Sequence, residues 1–213
     1  ANVNGTATIA KDGDTVDGQQ QISSNYPANT ILLTQTGEDD QVNYSQVTID
    51  SGTVGGLETA AGEVTQRLQE LNNFATTIAK TINMVYTNGQ SSTSGFFEIG
   101  NDASSYASKI AVNAALAADP DKLTAGASGA SGDNSVATAI VNLSTQKFDY
   151  PVTDSQLNSY NKTTMAFESS ASGKTYSDAF NNIVTKNAIS KQQADNLATA
   201  QNSVLSQLNN QDQ

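Results

Sequence analysis

Apolar side chains recur along Leu57 to Val85 at alternating intervals of four and three residues: Leu57, Ala61, Val64, Leu68, Leu71, Ala75, Ile78, Ile82 and Val85. No Gly or Pro interrupts the stretch after Gly62. A 3.5-residue repeat held for about four heptads predicts a helix with a narrow apolar seam that faces another helix. The end of the chain repeats the pattern with Tyr176, Phe180, Ile183, Asn187, Ser190, Ala194, Leu197, Gln201, Val204 and Leu208. Two such helices most simply pack on each other. The seam is predicted to run through Leu57, Val64, Leu68, Leu71, Ile78, Ile82 and Val85 on one helix, and Phe180, Ile183, Leu197, Val204 and Leu208 on the other. Each fully buried Leu, Ile or Val contributes about 1.5–3 kcal/mol. The polar positions Asn187, Ser190 and Gln201 lower that stability; they either fix the register or mark the place of a third helix.

Residues 1–55 carry a different period. Val3, Ala7 and Ile9 alternate with polar residues before an Asp12-Gly13 turn signal, and Thr30–Thr34 is a short, partly branched apolar run. Val42 and Tyr44, then Val47 and Ile49, predict either one strand bulged near Ser45-Gln46 or two short strands. Ser51-Gly52 and Gly55-Gly56 punctuate the change to helical spacing. The organisation expected is a β-rich segment over 1–55 and a helical domain over 56–213.

Between the long helices the signals are local. Asn88-Gly89 stops the first helix, because Gly accepts the left-handed conformation of a C-terminal cap. Gly95-Phe96-Phe97 is expected to plug one end of the seam. Asp102 caps a short helix, Ile110–Val112 is extended, and Ala114–Ala118 adds a turn before Asp119-Pro120. After the small-residue loop Gly126–Gly132, Asp133 or Asn134 caps a one-sided amphipathic helix with Val136, Ala139, Ile140 and Leu143. Residues 148–167 are too irregular to assign. Thr175 followed by Asp178 is a weakened capping box for the last helix.

Charge and chemistry narrow the function. The 213 residues carry a net charge of −11 and a single arginine, Arg67, which disfavours nucleic acid and anionic membranes as partners. There is no Cys and no His, so thiolate or imidazole zinc sites and Ser-His-Asp triads are excluded. Asp12-Gly13-Asp14 with Asp17-Gly18 misses the spacing of a calcium loop, and Gly126–Gly132 lacks the Lys-Ser/Thr of a phosphate loop. Glu38-Asp39-Asp40 reads as a solvated loop tip. The triplets at Asn43, Asn142 and Asn161 fit glycosylation sequons, as chance supplies in a chain this rich in Asn, Ser and Thr. No carboxylate pair is held by its sequence context, so no catalytic residue, cofactor or metal ligand is expected.

The order of several pieces resembles the flagellar hook-associated proteins of the hook–filament junction, the FlgK family. Those pieces are Gly55-Gly56-Leu57 opening a heptad helix, Asn83 and Gly89, Gly95-Phe96-Phe97, Ile110–Asn113 with Leu116, Asp119-Pro120, Gly132-Asp133-Asn134, Thr175–Asp178 and Ser203–Leu208. They cover about residues 52–213. Tyr86 stands where the family usually carries His, and the family's terminal heptad helices have no counterpart here. The resemblance implies an internal fragment: part of an outer β domain followed by an elongated rod of long heptad helices, mainly α overall.

It further implies a non-enzymatic structural protein, secreted through flagellar type III export with an export chaperone. Full-length subunits would form a ring by self-assembly between the hook protein and the second junction protein, without membrane insertion. The fragment alone is expected to be a monomer. Two other classes stand beside this reading. An extracellular adhesin or surface-coat module would place much of its mass in a β-sandwich. A glycan- or peptide-cleaving enzyme would need two carboxylates about 5–9.5 Å apart in a groove.

Overall fold

The computed structural model describes residues 6–9, 15–16, 19–21, 31–36, 42–47, 52–90 and 94–211. It is mainly helical with a small antiparallel sheet. The chain divides into two compact units, Ala1–Gly62 and Glu63–Gln213. That division falls inside a helix, after the change of period at residues 51–56.

In the first unit, strands β1 (Thr6–Ile9), β4 (Ile31–Thr36) and β5 (Val42–Gln46) form an antiparallel sheet in the order β1-β4-β5. β2 (Thr15–Val16) and β3 (Gln19–Gln21) pair separately. The Ile31–Leu33 run lies in the central strand, and Leu32 is fully buried. β5 keeps an unbroken register with β4, from Val42 opposite Thr36 to Gln46 opposite Leu32. The bulge allowed for at Ser45-Gln46 is therefore absent from the paired strand, and Val47 follows outside it. Val3, Asp12–Asp14, Asp17-Gly18, Glu38–Asp40 and Ile49 lie outside the described residues.

Helix α1 spans Gly52–Tyr86, 35 residues, and begins before the heptad pattern does. Gly55 and Gly56 weaken the helix by about 1 kcal/mol each without forbidding it, and the Thr59 hydroxyl donates to Gly55 O at 2.9 Å.

In the second unit, a core gathers at the C-terminal end of α1. It contains Val85, Tyr86, Val136, Ala139, Leu143, Phe148, Val152, Met165 and Phe167. The Phe96 ring meets Tyr86 edge-on at 5.7 Å, so the Gly95-Phe96-Phe97 plug does pack against this end of α1. β6 (Phe97–Glu98) and β7 (Ala111–Val112) pair antiparallel, with α2 (Tyr106–Lys109) between them and α3 (Ala114–Ala118) after. Asp102 accepts from the Ser104 amide at 2.9 Å. Of the two candidate caps for α4 (Ser135–Asn142), Asp133 acts, accepting from the Ser135 amide at 2.9 Å; the Asn134 side chain caps nothing.

The unpatterned stretch 148–167 supplies a large part of the core. Phe148 stacks on Tyr176 at 5.5 Å and meets Phe167 edge-on at 5.6 Å. Gln156, on α5 (Asp154–Asn158), is buried and ties the stretch together. It donates to Lys147 O and Glu168 O at 2.9 and 3.2 Å and accepts from the Asp149 amide at 3.2 Å. Helix α6 (Tyr176–Gln211, 36 residues) leaves this core under a Thr175 cap, whose hydroxyl accepts from the Asp178 amide at 3.1 Å.

Candidate functional site

The feature on which any mechanical reading depends is the contact between α1 and α6 in the second unit. Four contacts fix its direction. The Thr81 and Tyr176 hydroxyls are 2.7 Å apart, and the Phe74 and Phe180 rings are 5.7 Å apart. Further along, Lys186 Nζ sits 2.6 Å from Glu70 Oε1, and the Ser190 hydroxyl donates to Glu63 Oε2 at 2.9 Å. Residue numbers rise on α6 as they fall on α1, so these segments run antiparallel.

The character of the contact changes along its length. At the core end side chains on both helices are buried: Ala75, Ala79, Thr81 and Val85 on α1 and Ala179 on α6. Thr77 is buried too; its hydroxyl donates to Asn73 O and accepts from the Val152 amide at 2.9 Å. Farther out the contact is ionic. Arg67 bonds Glu70 and lies 3.5 Å from Glu63, and Glu70 also holds Lys186. Spacings of three and four place Glu63, Arg67 and Glu70 on one helix face. This spacing was legible in the sequence, where Arg67 stood out only as the single arginine. A groove of about 260 Å³ runs beside it, lined by Val64, Arg67, Leu68, Leu71, Asn187 and Ser190 among others.

The predicted seam residues separate accordingly. Val85 is fully buried, and Leu71, Ile78, Ile82 and Ile183 are partly covered. Leu57, Val64 and Leu68 are exposed by 65, 58 and 55 %, and Phe180, Leu197 and Val204 are exposed as well. The expected full-length seam is thus corrected to a short one. From Lys191 to Gln207 every side chain on α6 is exposed. The side chain of Leu208 lies outside the described residues. Heptad spacing makes a face fit for burial, but within the second unit the buried positions of α1 lie from Asn72 onward.

Sequence reasoning gave no role to the amides that fasten the 94–113 segment to α1. The Asn72 side chain donates to Ser104 O at 2.6 Å and accepts from the Ala107 amide at 2.8 Å. Asn83 makes the same pair of bonds with Phe97, both at 2.8 Å. About three helical turns separate the two asparagines, so both project from one face. No local pattern announces such partners.

Burial tunes two phenols at the root of α6. Desolvation pushes Tyr176 up to about 12, partly offset by its bond to Thr81. Tyr150, stacked on Phe74, is raised by desolvation first and then by Tyr176 and Asp178. The Ser128 hydroxyl and amide hold the Asp133 carboxyl well below the usual carboxylate range, which orders the Gly126–Gly132 loop. Among the described residues there is no cluster of three or more potential metal ligands, and no helix is long and apolar enough to cross a membrane.

Comparison of the chain with protein-family patterns, with characterised proteins and with solved structures gives no match.

Proposed function

We propose that the chain is a structural piece of the bacterial flagellum, belonging to the junction between hook and filament. The observation that carries this reading is a pair of helices, 35 and 36 residues long, whose segments in the second unit run antiparallel beside one core while seam positions on both stay uncovered. Leu57, Val64, Leu68, Leu197 and Val204 have the spacing of packing residues and the exposure of surface ones. A subunit that works by laying helices against its neighbours needs both properties. The ordered pieces that resemble the hook-associated family point to the same class. In this reading, the helices form the rod part and β1, β4 and β5 belong to an outer β domain.

On this proposal the full-length protein is exported unfolded through the flagellar type III path with a chaperone. It assembles outside the cell as a ring between the hook protein and the second junction protein. Its role is load transfer, without catalysis, cofactor or nucleic acid. The predominance of helix in the described residues favours this reading over the adhesin alternative, which places most of the mass in β structure.

Antibodies raised against the chain provide the test, applied to flagella sheared from the source cells and viewed by immunogold electron microscopy. Label confined to the hook–filament joint supports the proposal. Label spread over the cell envelope, with bare joints, overturns it in favour of a surface module.

A further inference from the structure

The cap of α1 holds an Asn-Gly pair in a geometry that bears on its covalent stability. Asn88 and Gly89 are both left-handed, with φ of 47° and 67°. The Gly89 amide donates to Met84 O at 2.8 Å and the Asn88 amide to Val85 O at 3.0 Å, the two bonds of a Schellman cap. The Tyr160 hydroxyl donates to Asn88 Oδ1 at 3.0 Å. Lys162 and the Tyr160 ring crowd the Gly89 backbone, at 3.0 and 3.4 Å from where a Cβ would stand.

Asn followed by Gly is prone to lose its side-chain amide, because no side chain keeps the next backbone nitrogen away from the Asn Cγ. The Gly89 nitrogen gives up its proton and bonds to Asn88 Cγ. The bond from Cγ to the side-chain nitrogen breaks, and ammonia leaves. Water then opens the five-membered imide at either carbonyl, giving aspartate or isoaspartate. Only water is consumed.

We propose that Asn88 is a self-modification site gated by folding: the cap suppresses the reaction, and unfolding releases it. Attack requires a Gly89 nitrogen free of its hydrogen bond and an Asn88 Cγ free to swing toward it. In the folded chain that N–H is committed to Met84 O, and Tyr160 pins the side-chain oxygen. Isoaspartate adds a carbon to the backbone, so a chain modified while unfolded cannot rebuild the 84–89 and 85–88 bonds together. The site therefore keeps a permanent record of unfolding, whatever the chain's biological role.

The test follows conversion at residue 88 by peptide mapping and isoaspartyl methylation, in mildly alkaline buffer with and without concentrated urea. With two hydrogen bonds to be broken first, the folded chain should react at least about fivefold more slowly than the chain in urea. Tyr160→Phe, checked for native circular dichroism, should quicken the folded-state reaction and leave the rate in urea unchanged. Equal rates for the wild-type chain with and without urea overturn the proposal, and that comparison stands even if Tyr160→Phe does not fold. An unchanged folded-state rate in a folded Tyr160→Phe overturns the part given to Tyr160.

Discussion

The side-chain amide of Asn83 completes the backbone of Phe97: its Nδ2 donates to Phe97 O and its Oδ1 accepts from Phe97 N, both at 2.8 Å. A helix thereby offers a neighbouring segment what another strand would offer it. Asn72 repeats the arrangement with Ser104 and Ala107, so the segment from 94 to 113 hangs on α1 at two rungs.

Replacing Asn83 by Leu should cost about 1–3 kcal/mol, the penalty for leaving a covered backbone donor and acceptor unpaired. Gly95 shares the site, since a Cβ there would stand 2.5 Å from the Asn83 amide. Gly95→Ala should therefore destabilise the wild type and do less harm in Asn83→Ala. A urea-denaturation double-mutant cycle that proves additive would refute the shared site.

Burial separates residues that the heptad pattern treats alike. Phe148→Ala removes a fully buried ring and should cost about 3–5 kcal/mol. Leu71→Asp, partly covered at the groove, should lower the melting temperature to a smaller extent. Leu197→Asp, at a site 58 % exposed, should stay within about 0.5 kcal/mol of wild type. A large thermal shift for Leu197→Asp would mean that this face is covered in solution.

Alkali should destabilise the chain through its phenols. Tyr176 titrates at about 12 in the folded chain against about 10 when unfolded. Between those values the folded state binds more protons, so stability falls as pH rises. The contribution is fully present below about pH 10 and is lost as pH climbs through the folded value. Tyr150, also raised, acts in the same direction. Tyr176→Phe should flatten the dependence of the urea midpoint on pH across that window. An unchanged slope would show that burial does not hold the proton.

Amide exchange should be graded along α6. Residues 176–190 lie against the core and α1, whereas every side chain from Lys191 to Gln207 is exposed. Protection should be strongest in the first turns and fall toward Gln211, because a helix with little packed against it keeps only marginal stability of its own. Uniform protection along the helix would refute the short contact.

Much of this architecture was legible because it is periodic. The four-three spacing located α1 and α6, and the short apolar run at 30–34 found the central strand. Local chemistry gave the caps at Asp102, Thr175 and the Asn88-Gly89 stop. What escaped was long-range. Phe148, Val152, Met165 and Phe167 form the core at irregular intervals, because loop segments ordered by Gln156 deliver them. Asn72 and Asn83 looked like any polar residues on a helix. The over-reading at Leu57, Val64, Leu68, Leu197 and Val204 has the same origin: periodicity describes a face suited to burial, not what lies on it.

Helix α6 would extend about 54 Å at 1.5 Å per residue, yet its described contacts with the second unit cluster in its first fifteen positions. It is built like a cantilever. A sideways push near Gln211 would turn into a bending moment at the root, resisted by the Phe74–Phe180 ring pair and the Lys186–Glu70 tether. Those few groups, rather than the long exposed span, would set how stiffly the beam is mounted.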